Sequence, residues 1–122
     1  MDGLYSTLFV IGLLLAIQNC GGAEGLDIQI PKRVIKHILK RHRDWVSMLS
    51  LSSESDVEKF LLHALKSFSE VYRDRFRRDV EYYLVKLDKH YLCIVVVEGV
   101  VVTAYLINRE KYEKYRARRW TR

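Results

Sequence analysis

The residues of this sequence whose chemistry stands out are two histidines on one predicted helix and two hydroxyls on one predicted strand. His37 and His42 fall in Val34-Ile-Lys-His-Ile-Leu-Lys-Arg-His42. At about 100° per residue, Val34, Ile38, His42, Ile35 and Leu39 follow one another across roughly 140° of a helix circumference. That places His42 in the middle of the face that packs on a sheet. His37 and Arg41, four apart, share its edge, while Lys36 and Lys40 lie on the solvated side. Such an imidazole is either a hydrogen-bonded core histidine or a general acid or base, because it titrates near neutrality.

The hydroxyls come from the last predicted strand. A two-residue turn at Glu98-Gly99 pairs Val96 with Val101, Ile94 with Thr103 and Leu92 with Tyr105. Thr103 and Tyr105 then share one face, opposite the helix that offers His42. Taken singly, each is also an ordinary strand former.

A third group is cationic. Arg73, Arg75, Arg77 and Arg78 surround the first strand, and Lys86 lies on the second. Arg116, Arg118, Arg119 and Arg122 form a tail interleaved with Tyr112, Tyr115 and Trp120. Cations that hold phosphates beside rings that stack on unpaired bases fit RNA. The competing reading is that the tail complements a helix dipole and the charges protect a sheet edge. His90-Tyr-Leu-Cys93 has metal-like residue types, but a strand turns them to opposite faces, and no metal or cofactor is expected. The chain shows no glycine-rich phosphate loop, nucleophile elbow or clustered carboxylate pair. That argues against ATP-dependent and two-metal chemistry.

The elements that must position these groups are legible in outline. Leu26–Ile30 alternates like a short extended piece, and Pro31 suits the first turn of a helix running to about Trp45. Ser52 to Ser55 offer a second N-cap, with Ser55 and Glu58 at capping-box spacing. Val57, Phe60, Leu61, Ala64, Leu65 and Phe68 repeat at helical intervals. Ser69–Phe76 reads as a charged edge strand, followed by strands at Val80–Leu87, Tyr91–Val97 and Val100–Ile107. Asp88-Lys89 and Glu98-Gly99 supply hairpin turns. Asn108 caps a last helix to about Trp120, with Glu110 and Lys114 spaced as a pair. The expected fold is α+β: N-terminal helices packed on a four-stranded antiparallel β-meander, with a short C-terminal helix.

Composition bounds the rest. The 122 residues, 49% apolar and 11% aromatic, suit one domain with a real core and exclude disorder. Two cysteines, Cys20 and Cys93, make no disulfide framework. Residues 31–122 hold all 21 basic residues against 12 acids, a net of +9, which favours a polyanionic partner. Only four amides occur (Gln18, Asn19, Gln29 and Asn108), a depletion found in thermophiles. Residues 1–25 are a separate apolar segment, too short for a bilayer span and lacking a positive leader. It reads as a buried helix, in the fold or in a homodimer, or as a signal peptide. Residues 26–122 read as a single domain. Placement is cytoplasmic, or secreted if residues 1–23 are cleaved.

Three segments of this domain resemble the superfamily of small ribonucleases that joins barnase, EndoU, colicin D-type and RelE-type toxins. Val34–His42 resembles the His-bearing first helix of phage-associated and colicin D-like members. Val71-Tyr-Arg73 resembles the start of their first strand, and Val101–Ile107 their last strand, where a hydroxyl residue is followed two later by an aromatic. The resemblance spans roughly residues 31–108. It implies a metal-independent endoribonuclease of toxin type, in which the RNA 2′-OH attacks its own phosphate at a basic sheet face. In that reading His42, with His37 second, is base or acid, and Arg41 and Arg73 stabilise the phosphate. Thr103 hydrogen-bonds the phosphate and Tyr105 orients or stacks. Arg75, Lys86, Arg116 and Arg119 add phosphate contacts. An acidic antitoxin or immunity protein is the implied protein partner. The rival readings are a non-catalytic nucleic-acid-binding module of a virus or mobile element, and a dimeric interaction protein.

Overall fold

The computed structural model describes residues 27–68 and 70–122, with Phe68 as backbone alone. Helices α1 (Lys32–Arg41), α2 (Arg43–Met48) and α3 (Glu54–His63) come first, and α3 runs on into a π-helical turn at Ala64–Phe68. Strands β1 (Glu70–Asp74), β2 (Val80–Leu87), β3 (His90–Val97) and β4 (Val100–Asn108) follow, then α4 (Arg109–Arg118) and β5 (Trp120–Thr121). The sheet is antiparallel in the order β4-β3-β2-β1-β5. The fold is α+β. The apolar segment 1–25 and its alternatives lie outside the described residues. No helix among the described residues is long and apolar enough to cross a membrane.

The sheet carries a core on each face. Val34, Ile35, Ile38, Trp45, Val57, Phe60 and Leu61 of α1–α3 bury one face against Val85, Leu92, Ile94, Val96, Val101 and Ala104. The other face gathers Tyr72, Tyr82, Leu84, Cys93 and Ile107 beneath Tyr112 of α4 and Trp120 of β5. The α3 stripe and the cap of α4 match the sequence pattern. Asn108 accepts a hydrogen bond from the Lys111 N–H at 2.8 Å. Both hairpin turns also form, with positive φ at Asp88, Glu98 and Gly99. Before α1, Gln29 bridges β4: its N–H donates to the Gly99 carbonyl at 2.8 Å, and its carbonyl accepts from the Val101 N–H at 2.9 Å.

Several expectations are corrected. A fifth strand exists because Trp120 is buried, stacking on Tyr72 at 5.4 Å between centroids. That burial draws the chain out of α4 after Arg118, so that Thr121 and Trp120 pair with Arg73 and Asp74. β1 is therefore an edge over only part of its length, and it ends at Asp74 rather than Phe76. The first helix is broken at His42, whose φ of −122° and ψ of 49° are not helical. The fully buried Trp45 donates its indole N–H to the Ala104 carbonyl at 3.0 Å, and this bond to β4 fixes where α2 runs. Pro31 stands at the N-cap position of α1. Ser53, not Ser55, caps α3: its Oγ accepts from the Asp56 N–H at 3.1 Å, and Asp56 reaches back to the Ser53 N–H. On α4 the ion pair joins Arg109 and Glu113 at 3.3 Å, instead of Glu110 and Lys114.

The most consequential correction lies in β4. Val96 faces Val101 as expected, but Val95 faces Thr103 and Cys93 faces Tyr105. Val102 is thus the extra residue of a β-bulge. Because side chains alternate between faces, one extra residue moves Thr103 and Tyr105 to the face opposite α1.

Candidate nucleic-acid interface

Helices α1 and α4 each carry five Lys and Arg, but only α1 carries them without an acid. Its apolar residues Val34, Ile35 and Ile38 are buried, which turns Lys32, Arg33, Lys36, His37, Lys40 and Arg41 to solvent. Lys32, Lys36 and Lys40 form one i,i+4 ladder, and Arg33, His37 and Arg41 a second. No acid occurs between residues 28 and 43. The ion pairs among the described residues join Arg77 to Asp79, Arg109 to Glu113, Arg119 to Asp74 and Arg122 to Glu70; α1 takes part in none.

This arrangement works against the helix that carries it. Like charges at i,i+4 cost about 0.2–0.5 kcal/mol per pair. Lys32 and Arg33 also occupy the first turn, at the positive end of the helix dipole, with no acid there to offset them. Only Lys40 and Arg41, in the last turn, are favourably placed. The arrangement is not explained by helix stability.

The break after Arg41 shapes the end of this surface. Leaving the helix at His42 folds its half-buried ring back onto His37, edge to face with centroids 5.3 Å apart. Burial lowers the His42 pKa below its usual 6.5, and the neighbouring His37 lowers it further, with Asp44 opposing. These surroundings favour the neutral form of His42. The residue does not sit in the middle of the packed face, because it is no longer part of the helix. The structure brings His42 onto His37, whereas spacing on a continuous helix puts only Arg41 beside His37.

Thr103 and Tyr105 are separated from them by the sheet. Tyr105 lies half-buried, in register with Cys93 on β3. Burial, and then Cys93, push the Tyr105 pKa above its usual value. The Cys93 thiol is pushed up to about 12 by burial. On the same face the Arg119 guanidinium lies over the rings of Tyr115 (5.4 Å) and Tyr82 (5.8 Å), and 3.8 Å from Asp74. Tyr82 donates to Asp74 at 2.6 Å and is pushed up to about 12, by burial first and then by that bond. Burial would raise the Asp74 carboxyl, but Tyr82, the backbone N–H groups of Phe76 and Arg77, and Arg119 hold it below its usual range. This face offers hydroxyls and a guanidinium, with His90 on the other side of β3.

The remaining predicted phosphate contacts are scattered. Lys86 is exposed on β2, opposite Tyr91, which stacks on Tyr112 at 3.9 Å. Arg73 is exposed on β1, in register with Glu81, and Arg116 is exposed on α4. Arg75 donates to the Ala117 carbonyl at 3.3 Å, tying the β1–β2 turn to α4. Two features escaped the sequence reading. Lys32, Arg33 and Arg43 extend the α1 cluster, which the four-residue spacing of its cations could have revealed. Phe76, read as a strand residue, is 83% exposed in the β1–β2 turn, a position hinted at by the arginines on both sides of it.

Set against known proteins, the chain finds no counterpart: no family model, curated protein or solved structure matches it.

Proposed function

We propose that this chain is an RNA-binding protein whose contact surface is centred on α1. The observation that supports this is the run of exposed cations Lys32, Arg33, Lys36, Lys40 and Arg41, which make no ion pair among the described residues and are held on one helix at a cost to that helix, with Arg43 at the start of α2. Phosphates spaced along a strand are the anion such a run fits, and releasing their counterions drives the binding. An acidic protein partner of antitoxin type would compete for the same surface. The test is binding of a short oligouridylate by the full chain over a salt series, beside a triple Lys32→Gln, Lys36→Gln, Lys40→Gln variant. Each lost phosphate contact flattens the slope of log K against log salt by about 0.7 for a single strand, so the triple variant loses about 2. A variant that keeps the parent slope removes α1 from the interface.

A second reading, metal-independent endoribonuclease, is favoured by the contact between His37 and His42 beside Arg41. Neutral His42 would take the 2′-OH proton as the 2′-oxygen attacks phosphorus. A protonated His37 would give a proton to the departing 5′-oxygen, leaving a 2′,3′-cyclic phosphate. Arg41 would balance the charge gathering on the phosphate. Thr103 and Tyr105, across the sheet, take no part in that step. The reading is tested by incubating RNA with the protein in EDTA. Cleavage that is lost in His42→Ala and kept in Thr103→Ala supports it; intact RNA with salt-sensitive binding leaves the binding module.

A further inference from the structure

We propose that Phe76 is a stacking platform for one unpaired base of the bound RNA; this rests on the RNA-binding reading above. Phe76 is the most exposed large apolar side chain among the described residues, at 83% against 43% for Val102 and 41% for Val71. It is not exposed because its loop is loose. Asp74 Oδ1 accepts from the N–H groups of both Phe76 (2.9 Å) and Arg77 (3.0 Å). The Arg75 N–H donates to the Arg119 carbonyl at 2.9 Å, and the Val80 N–H to the Arg77 carbonyl at 3.3 Å. Asp74 is itself held by Tyr82 and Arg119. The turn thus holds the backbone of Phe76 in place while its ring projects into solvent.

The chemistry around the ring selects the ligand. Arg75, Arg77 and Arg78 flank Phe76 and are all exposed. Arg75 and Arg77 are anchored by Ala117 and Asp79, while Arg78 makes no ion pair among the described residues. An apolar pocket on a protein would have to bury these cations beside the ring. A nucleotide meets both demands, with a π-face for the ring and a phosphate for the arginines. Only unpaired bases expose that face, so the site discriminates single strands from duplex.

The experiment compares the full chain with Phe76→Ala and Phe76→Trp on three probes. These are the short oligouridylate, an abasic strand with the same number of phosphates, and anionic phosphatidylserine vesicles. Phe76→Ala is expected to unfold at the parent temperature, since the side chain touches little. It should weaken oligouridylate binding about 5- to 150-fold, the range for loss of one stacked base, and leave the abasic strand unaffected. Phe76→Trp should restore or tighten binding. Equal binding of oligouridylate by parent and Phe76→Ala overturns the platform while leaving the RNA reading in place. Failure of the parent to bind either strand overturns both. Vesicle binding that depends on Phe76, with RNA binding that does not, overturns the platform in favour of a membrane contact.

Discussion

The ring of His42 meets the ring of His37 edge to face, with centroids 5.3 Å apart, because the chain leaves α1 one residue before His42. Two imidazoles so close cannot both carry a proton without mutual repulsion. Burial disfavours the charged form of His42, and His37 beside it disfavours that form further.

The first prediction concerns the titration of His42. With a folded pKa below the unfolded 6.5, His42 is protonated more readily in the unfolded chain. Its contribution to stability is therefore complete above pH 6.5 and declines as pH falls toward the folded pKa. An NMR titration should give His42 an apparent pKa below 6.5, and His37→Ala should move it part of the way back up. A His42 titration unchanged in His37→Ala would mean the rings do not interact.

Trp45 anchors α2 to the sheet. Trp45→Phe keeps most of the buried ring but strips the Ala104 carbonyl of its indole donor. We expect a loss of about 1–3 kcal/mol by urea unfolding, the cost of leaving a buried acceptor unpaired. A loss under 0.5 kcal/mol would mean that water or another donor replaces the indole at once.

Asp74 joins the β1–β2 turn to the Tyr82–Arg119 cluster. Asp74→Ala should speed hydrogen exchange at the Phe76 and Arg77 amides, which lose their acceptor, and leave exchange within α1 unchanged. Tyr82→Phe keeps the carboxylate and should leave those two amides protected.

Cys93 should be inert. It is fully buried, and its thiol is pushed up to about 12, so almost no thiolate exists at pH 8. In a Cys20→Ser background, a thiol-specific reagent should label Cys93 only after denaturant is added. Rapid labelling of the native protein would show that β3 opens readily.

The sequence made some of this legible for reasons that are local. The α3 stripe follows from periodicity, the Glu98-Gly99 turn from residues that tolerate positive φ, and the α4 cap from an asparagine side chain within reach of Lys111. The placement of the site was not local. Val100-Val-Val-Thr103 is uniformly β-branched, so each register looks equally good along the strand, and only packing decides that Val102 bulges. Likewise, nothing in Arg41-His42-Arg43 is a helix breaker; the bond from Trp45 to β4 is long-range. The contact of His42 with His37 was not legible either, because it arises where the helix ends. The expected union of His42 with Thr103 failed because it depended on strand register.

The bridge between Gln29 and the β3–β4 hairpin bears on how this molecule meets others. Gln29 occupies the outer rim of β4 beside Gly99 and Val101, where an incoming strand would otherwise dock. Farther along that rim the bulge at Val102 spoils the spacing of free donors and acceptors. On the opposite side the sheet tapers into the two residues of β5. Both margins are blunted, so growth of the sheet by recruiting foreign backbone is discouraged.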